Sequence, residues 1–331
     1  EALLGGGVEI DKRKHDGDTA LMLAVDHDRT AVVVALVEAG AHLDSDTDDG
    51  YMPPLYLAAQ RGYLTTLEAL LRGGANVETA VDSNGATSLM VAAENGHEAV
   101  VSALLRAGAG VNTARVLDGV TALMIAARDG HMAVLTVLLR AEPDVDAVSH
   151  DGDTALLKAA VSGHASVVTA LLEAGAGLEG RDRSFQNGGM TALHAAVDGG
   201  HEAAVLALLK GGAMVDATSS NGFTPMLMAM RKGNEAVCAA LLRAGAEVDK
   251  ANPQGVTALY AAALGGHEAA LAMLLRAGAD VGHKGCDGAT SLMVAAERGH
   301  KAVVLALIEA GAVIDEAKDD GMTALLLAVK M

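Results

Sequence analysis

The chain has 331 residues, of which 42 are acidic and 24 basic, for a formal net charge of −18. That balance argues against nonspecific binding to nucleic acid or to an anionic membrane, because both require positive surface. Two cysteines, Cys238 and Cys286, are too few for a disulfide framework or a zinc site, and no apolar run reaches the ~18 residues of a membrane span. The expected setting is therefore intracellular and cytoplasmic, with no nucleic-acid partner, no direct membrane insertion of this segment, and no cofactor.

Half the residues are hydrophobic, yet the aromatics are four Tyr, two Phe and no Trp. Such a core must be built from small side chains. Glycine is plentiful, at 39, and proline scarce, at 5, which suggests turns between helices rather than disorder.

In chain order, Glu1-Ala-Leu-Leu-Gly reads as the end of a helix already under way, and residues 1–15 as a partial repeat. The motif Gly-x-Thr-Ala-Leu then recurs, in close variants, with Thr at 19, 87, 121, 154, 191, 224, 257, 290 and 323, and Pro53 in the second slot. The steps are 34, 34, 34, 33, 37, 33, 33, 33 and 33 residues, so 16–319 reads as nine full repeats and 320–331 as a partial one, in a single array. Asp44-Ser-Asp46-Thr-Asp48-Asp49-Gly50 reads as an acidic finger tip. A calcium loop needs Gly at position six and Glu at position twelve, where Asp49 and Leu55 stand.

Residues 84–111 show the grammar of one unit. Asn84-Gly85 is a tight-turn dipeptide, and Thr87 stands where an N-cap hydroxyl would accept from the first helical turn. Leu89 to Ala93 predict a short first helix, broken by Gly96-His97. Glu98 to Arg106 predict a second, with Val100, Val101, Leu104 and Leu105 at helical spacing. Gly108 ends it as a left-handed residue. In repeat four, Glu142 stands in that glycine's place and Pro143 follows. Proline disfavours helical geometry before it, so Glu142 is expected to be extended and the glycine-type cap lost.

The 37-residue step puts four extra residues into Glu179–Gly189, a finger between repeats five and six that carries Arg181, Arg183 and Phe185. Two arginines beside an aromatic have the composition of an interface anchor. At the end, Thr323-Ala-Leu-Leu-Leu-Ala-Val-Lys-Met331 stops inside another pattern, so the expectation is a piece of a longer protein.

The histidines of the recurring Gly-His turns, at 97, 131, 164, 201, 267 and 300, come one per repeat. They would lie in a line rather than converge on a metal, and an imidazole bonding backbone between repeats is the expected role. No nucleophile, base and orienter set is visible, so no catalysis is expected. Met22, Met90, Met124 and Met293 share one slot and are expected to fill the core, whereas Tyr56 and Tyr260 in that slot reach toward a groove. Arg72, Arg106, Arg140, Lys210, Arg243 and Arg276 end second helices, where a cation suits the negative end of the macrodipole.

The chain resembles the ankyrin repeat family along essentially its whole length. Thr224-Pro225, Thr191-Ala-Leu-His194, the Gly-His turns and the Leu-Leu-x-x-Gly-Ala endings at 70–75, 104–109, 171–176, 208–213, 241–246 and 274–279 carry the resemblance. It implies an all-α repeat solenoid of helix-turn-helix units with β-hairpin fingers. It also implies a non-enzymatic scaffold that binds a protein or peptide on its concave face. The positions implied on that face, together with the long finger, are Tyr56, Arg61, Arg128, Lys158, Arg181, Arg183, Phe185, Arg231 and Lys232; Asp26, Glu94, Asp129 and Asp198 share the face. The alternative is a structural or regulatory segment of a larger protein, packed against a channel, kinase or ligase domain or fixed in a large assembly.

Overall fold

The computed structural model describes residues 9–15, 17–44, 52–81, 85–178 and 189–330. Among them, helices of seven to nine residues follow one another in pairs. The chain forms two compact units, Glu1–Ala159 with Glu173–Ala176, and Ala160–Leu172 with Gly177–Met331. The first unit contains α1 (Ala20–Asp26), α2 (Thr30–Glu38), α3 (Pro54–Arg61), α4 (Leu64–Arg72), α5 (Ser88–Glu94), α6 (Glu98–Arg106), α7 (Ala122–Asp129) and α8 (Met132–Arg140). The change of unit falls within α9 (Ala155–Ser162) and α10 (Ala165–Glu173). The second contains α11 (Ala192–Asp198), α12 (Glu202–Lys210), α13 (Pro225–Lys232), α14 (Glu235–Arg243), α15 (Ala258–Gly265), α16 (Glu268–Arg276), α17 (Ser291–Glu297), α18 (Lys301–Glu309) and α19 (Ala324–Lys330). Within each unit, first helices pack on first helices, second on second, and each first helix on its own partner, as in an all-α repeat solenoid.

The threonine of the motif starts each first helix. Thr87 Oγ1 accepts from Met90 N–H at 3.4 Å, and Thr19, Thr121, Thr191, Thr224, Thr257 and Thr290 do the same three residues on. In α3 Pro53 provides no such cap, and Pro54 occupies the first turn, where a missing N–H is harmless. The core repeats with the sequence. In unit 1, Leu21, Leu55, Leu89 and Leu123 fill one buried slot, and Val33, Leu67, Val101 and Leu135 another. In unit 2 the second slot holds Val205, Cys238 and Leu271, so Cys238 is a core residue, its thiol pushed up to about 12 by burial. Met22, Met90, Met124 and Met293 are buried as core filling, while Tyr56 and Tyr260 are half-buried.

The described fingers are short. Among the described residues one two-residue ladder forms, β1 (Ala80–Val81) against β2 (Ala86–Thr87), with Ala80 opposite Thr87 and Val81 opposite Ala86. Elsewhere among the described residues the fingers keep single bridges, Ala114 to Thr121, Lys284 to Thr290 and Ala317 to Thr323. What ties finger to finger is a series of side chains that accept from the next repeat's backbone. Asp44 accepts from Asn76 N–H at 3.1 Å, Glu78 from Gly110 at 2.6 Å, Asn112 from Asp144 at 2.8 Å, and Asp249 from Asp280 at 2.9 Å.

The second helices end as expected, on a left-handed residue such as Gly108, φ +93°. Repeat four corrects the expectation of an extended Glu142. Its φ is +51°, left-handed like the glycines it replaces. The Glu142 N–H still returns to Leu139 O at 3.2 Å, so the closing turn outweighs both the Cβ penalty and the restriction imposed by Pro143. The proline removes a different bond: in repeat three, Ala109 N–H returns to Leu104 O at 3.0 Å, and Pro143 has no N–H to do so. An exposed L-residue held left-handed is strained, so Glu142→Gly is expected to raise unfolding free energy by about 1 kcal/mol. Urea denaturation measures it, and a lower midpoint for the variant contradicts the strain.

Candidate functional site

Four of the expected site residues stand at the ends of first helices, immediately before the glycine turns that join each helix pair. Arg61 precedes Gly62, Arg128 and Asp129 precede Gly130, and Arg231 and Lys232 precede Gly233. These turns are pinned from the following repeat. His97 Nε2 donates to Gln60 O at 3.1 Å, His131 to Glu94 O at 2.9 Å, His201 to Val161 O at 3.0 Å, His267 to Arg231 O at 3.1 Å, and His300 to Leu264 O at 3.2 Å. In unit 2, Asn234 takes the histidine's place. Its Nδ2 donates to Gly200 O at 3.4 Å while its Oδ1 caps α14 through Val237 N–H at 3.2 Å.

On this pinned backbone the basic side chains turn to acids of the preceding repeat. Arg61 Nη2 lies 2.9 Å from Asp26 Oδ1. Arg128 Nη2 lies 3.1 Å from Glu94 Oε1, and its Nε 2.7 Å from Asp129 Oδ1. The bond that Arg128 donates to Asp129 is the main reason its guanidinium holds its proton more tightly than usual. Lys232 Nζ lies 2.8 Å from Asp198 Oδ1 and also donates to Asp198 O. Lys158 pairs within its own repeat, with Asp153 Oδ2 at 2.5 Å. Arg231 sits 5.3 Å over the Phe223 ring, whose carbonyl accepts from His194 Nε2 at 2.9 Å. Tyr56 is half-buried on α3. Arg181, Arg183 and Phe185 lie outside the described residues, as does the acidic tip after Asp44.

One feature of unit 1 was not singled out from sequence. Val116 and Leu117, at the finger between repeats three and four, are 74% and 69% exposed. Arg115 and Asp118 bracket them in a bidentate pair, Nε to Oδ1 at 2.9 Å and Nη2 to Oδ2 at 2.5 Å. Asp118 Oδ1 also accepts from Val120 N–H, and Asp118 O from His150 N–H at 2.8 Å, which joins this tip to the next finger. That finger adds the exposed Val148. The tip belongs electrostatically with the expected site: Glu94 and Arg128 act on Arg115, and Lys158 on Asp118. The signal was present in the repeat alignment. Val116-Leu117 occupies the register of Asp82-Ser83, His150-Asp151, Ser220-Asn221, Pro253-Gln254 and Asp319-Asp320, where the fingers carry no large aliphatic residue.

Among the described residues no group of three or more His, Cys, Asp or Glu is placed to hold a metal ion, and no helix is long and apolar enough to cross a membrane. The arrangement presents an apolar tip held by hydrogen bonds beside a bank of paired charges.

The Arg115 pair holds the Asp118 carboxyl below its ordinary 3.8, the hydrogen bond outweighing desolvation. A depressed folded pKa contributes stability that is present above 3.8 and lost as pH falls through the folded value. Arg115→Gln is therefore expected to move Asp118 back up toward 3.8. An NMR titration of its carboxyl reads this, and an unchanged midpoint contradicts the pairing.

With the geometry established, comparison with known families gives overlapping matches along the chain. Residues 1–80, 43–115, 89–182, 123–219, 178–252, 212–285 and 259–331 each match the model described as ankyrin repeats in three copies. A search of the curated proteins gives no match.

Proposed function

The chain belongs to the ankyrin repeat family, and on that premise we propose that it is a non-catalytic module that binds a protein or peptide, with its principal contact at the Val116–Leu117 finger. Repeats of this family are generally protein-protein interaction modules, which supports the class of function. The observation that carries the specific surface is a pair of large aliphatic side chains held out in solvent on a tip braced by Arg115 and Asp118.

Two physical points favour this tip over the charged bank. Val116 and Leu117 release water on contact with an apolar pocket, and their backbone is already ordered, so little conformational entropy is lost on binding. Arg61, Arg128, Lys158 and Lys232 already have carboxylate partners, so a ligand would have to displace an acid before using them. In this reading those pairs orient the partner at the rim, Arg231 and Tyr56 add amphipathic contact, and the finger of Arg181, Arg183 and Phe185 is a further contact. The repeats act as one array. The free cysteines, one buried and one exposed, suit a reducing intracellular setting.

The test replaces Val116 and Leu117 together with serine. Both side chains are exposed, so unfolding free energy is expected to stay within about 0.5 kcal/mol of the parent. Capture of the native partner is expected to fall at least ~10-fold, the scale of losing one buried anchor. Undiminished capture by a fully folded double variant contradicts the assignment.

A further inference from the structure

We infer that the second-helix side of unit 1 is a docking strip for an acidic segment of another protein, extended as a polyproline II helix with a carboxylate at every third residue. The strip lies on α4, α6 and α8 and is independent of the finger reading. Each of these helices ends on an exposed arginine, Arg72, Arg106 and Arg140. In α2 the same register position is Glu38, which bounds the row on that side.

The dipole of the helices explains a cation at each end, but not the surface between them. Two open clefts separate the arginines. One of about 350 Å³ lies between α4 and α6 over Leu71, and one of about 380 Å³ lies between α6 and α8 over Leu105 and Val137. Arg72 Nε donates to Glu68 O at 3.1 Å, and Arg106 Nε to Ser102 O at 3.3 Å. Those bonds engage one nitrogen of the fork and hold its stem in place, leaving terminal N–H groups for a carboxylate. Arg106 Nη2 lies 3.8 Å from Glu68, the one carboxylate among the described residues that lines either cleft. Arg140 has no carboxylate partner among the described residues.

Spacing selects the ligand's conformation. Packed helices stand about 8–10 Å apart, so the arginines recur at roughly that interval. A polyproline II chain rises ~3.1 Å per residue with three residues per turn, so side chains at i, i+3 and i+6 share one edge about 9 Å apart. A β-strand cannot match this, because residues three apart point to opposite faces. Three carboxylates over seven residues thus meet three guanidinium groups, and an apolar residue between them lies along each cleft. The net charge of −18 disfavours a long polyanion, whereas a short segment responds mainly to charges within a Debye length of about 8–10 Å. In unit 2 the same register holds Lys210, Arg243 and Arg276, and lysine lacks the planar fork.

The test is fluorescence anisotropy of the full chain with the end-blocked peptide Glu-Pro-Leu-Glu-Pro-Leu-Glu. Expected is saturable binding below about 1 mM, weakened about tenfold by Arg140→Gln and strengthened about threefold by Glu68→Gln. The first change reflects removal of one charge-assisted hydrogen bond, and the second relief of one repulsion. Arg140→Gln is checked for an unchanged melting curve, and Glu68→Gln keeps the test informative because it predicts a gain. Four results overturn the proposal: no saturable binding, equal binding of the glutamine version of the peptide, equal binding of an isomer with its three glutamates adjacent, or tighter binding of a seven-nucleotide oligothymidylate.

Discussion

Helices of seven to nine residues cannot bury an apolar face alone, and within each unit they do so by packing on the neighbouring repeat. The contact that sets how closely neighbours approach is glycine against imidazole. Gly96 is left-handed, φ +74°, and a Cβ added there would stand 2.9 Å from Nδ1 of His131 in the next repeat. The same ring donates from its other nitrogen to Glu94 O. Glycine is thus required twice, for its backbone angle and for the ring that covers it. Histidine gives up an N-cap bond to its own helix, since His97, His131, His201, His267 and His300 form none. Repeat one solves the same problem with other residues. Asp28, at φ +50°, replaces the glycine, and its carboxylate accepts from the buried Thr66 hydroxyl at 2.8 Å.

Fixing this step aligns what lies beside it. Acids and bases 34 or 35 residues apart meet across the seams, Asp26 with Arg61, Glu94 with Arg128, Asp198 with Lys232; His131 pins the second of these seams and Asn234 the third. Exposed pairs of this kind contribute little stability singly. Their consequence here is functional: the basic residues expected to greet a partner are engaged internally, and the apolar Val116–Leu117 tip becomes the stronger candidate for the contact. The same register sets the row of arginines on α4, α6 and α8.

Much of this was legible in the residues. Thr87, Gly96-His97 and Gly108 each name a local event, a cap, a break and a left-handed end, and each occurs where its chemistry demands. Glu142 was misread because two local rules conflict there. Its proline neighbour favours extended backbone, while the closing turn of α8 favours the left-handed region, and sequence does not rank them. The ion pairs were half legible: the acids were placed on the same face as the bases, but pairing depends on side-chain reach across a seam. Val116-Leu117 was overlooked because motif reading attends to what recurs, and this finger matters through its departure from the pattern.

The central claim is that glycine and imidazole in adjacent repeats act as one interaction. A double-mutant cycle on Gly96→Ala and His131→Ala, read by urea denaturation, tests it directly. With His131 present the new methyl has no room, so the glycine variant is costly. With His131 removed, only the backbone penalty of a left-handed alanine remains. The account predicts a coupling free energy of at least about 1 kcal/mol between the two sites, with the double variant more stable than the single effects sum to. Additivity within about 0.5 kcal/mol would contradict it, and would mean that the two residues support the fold separately.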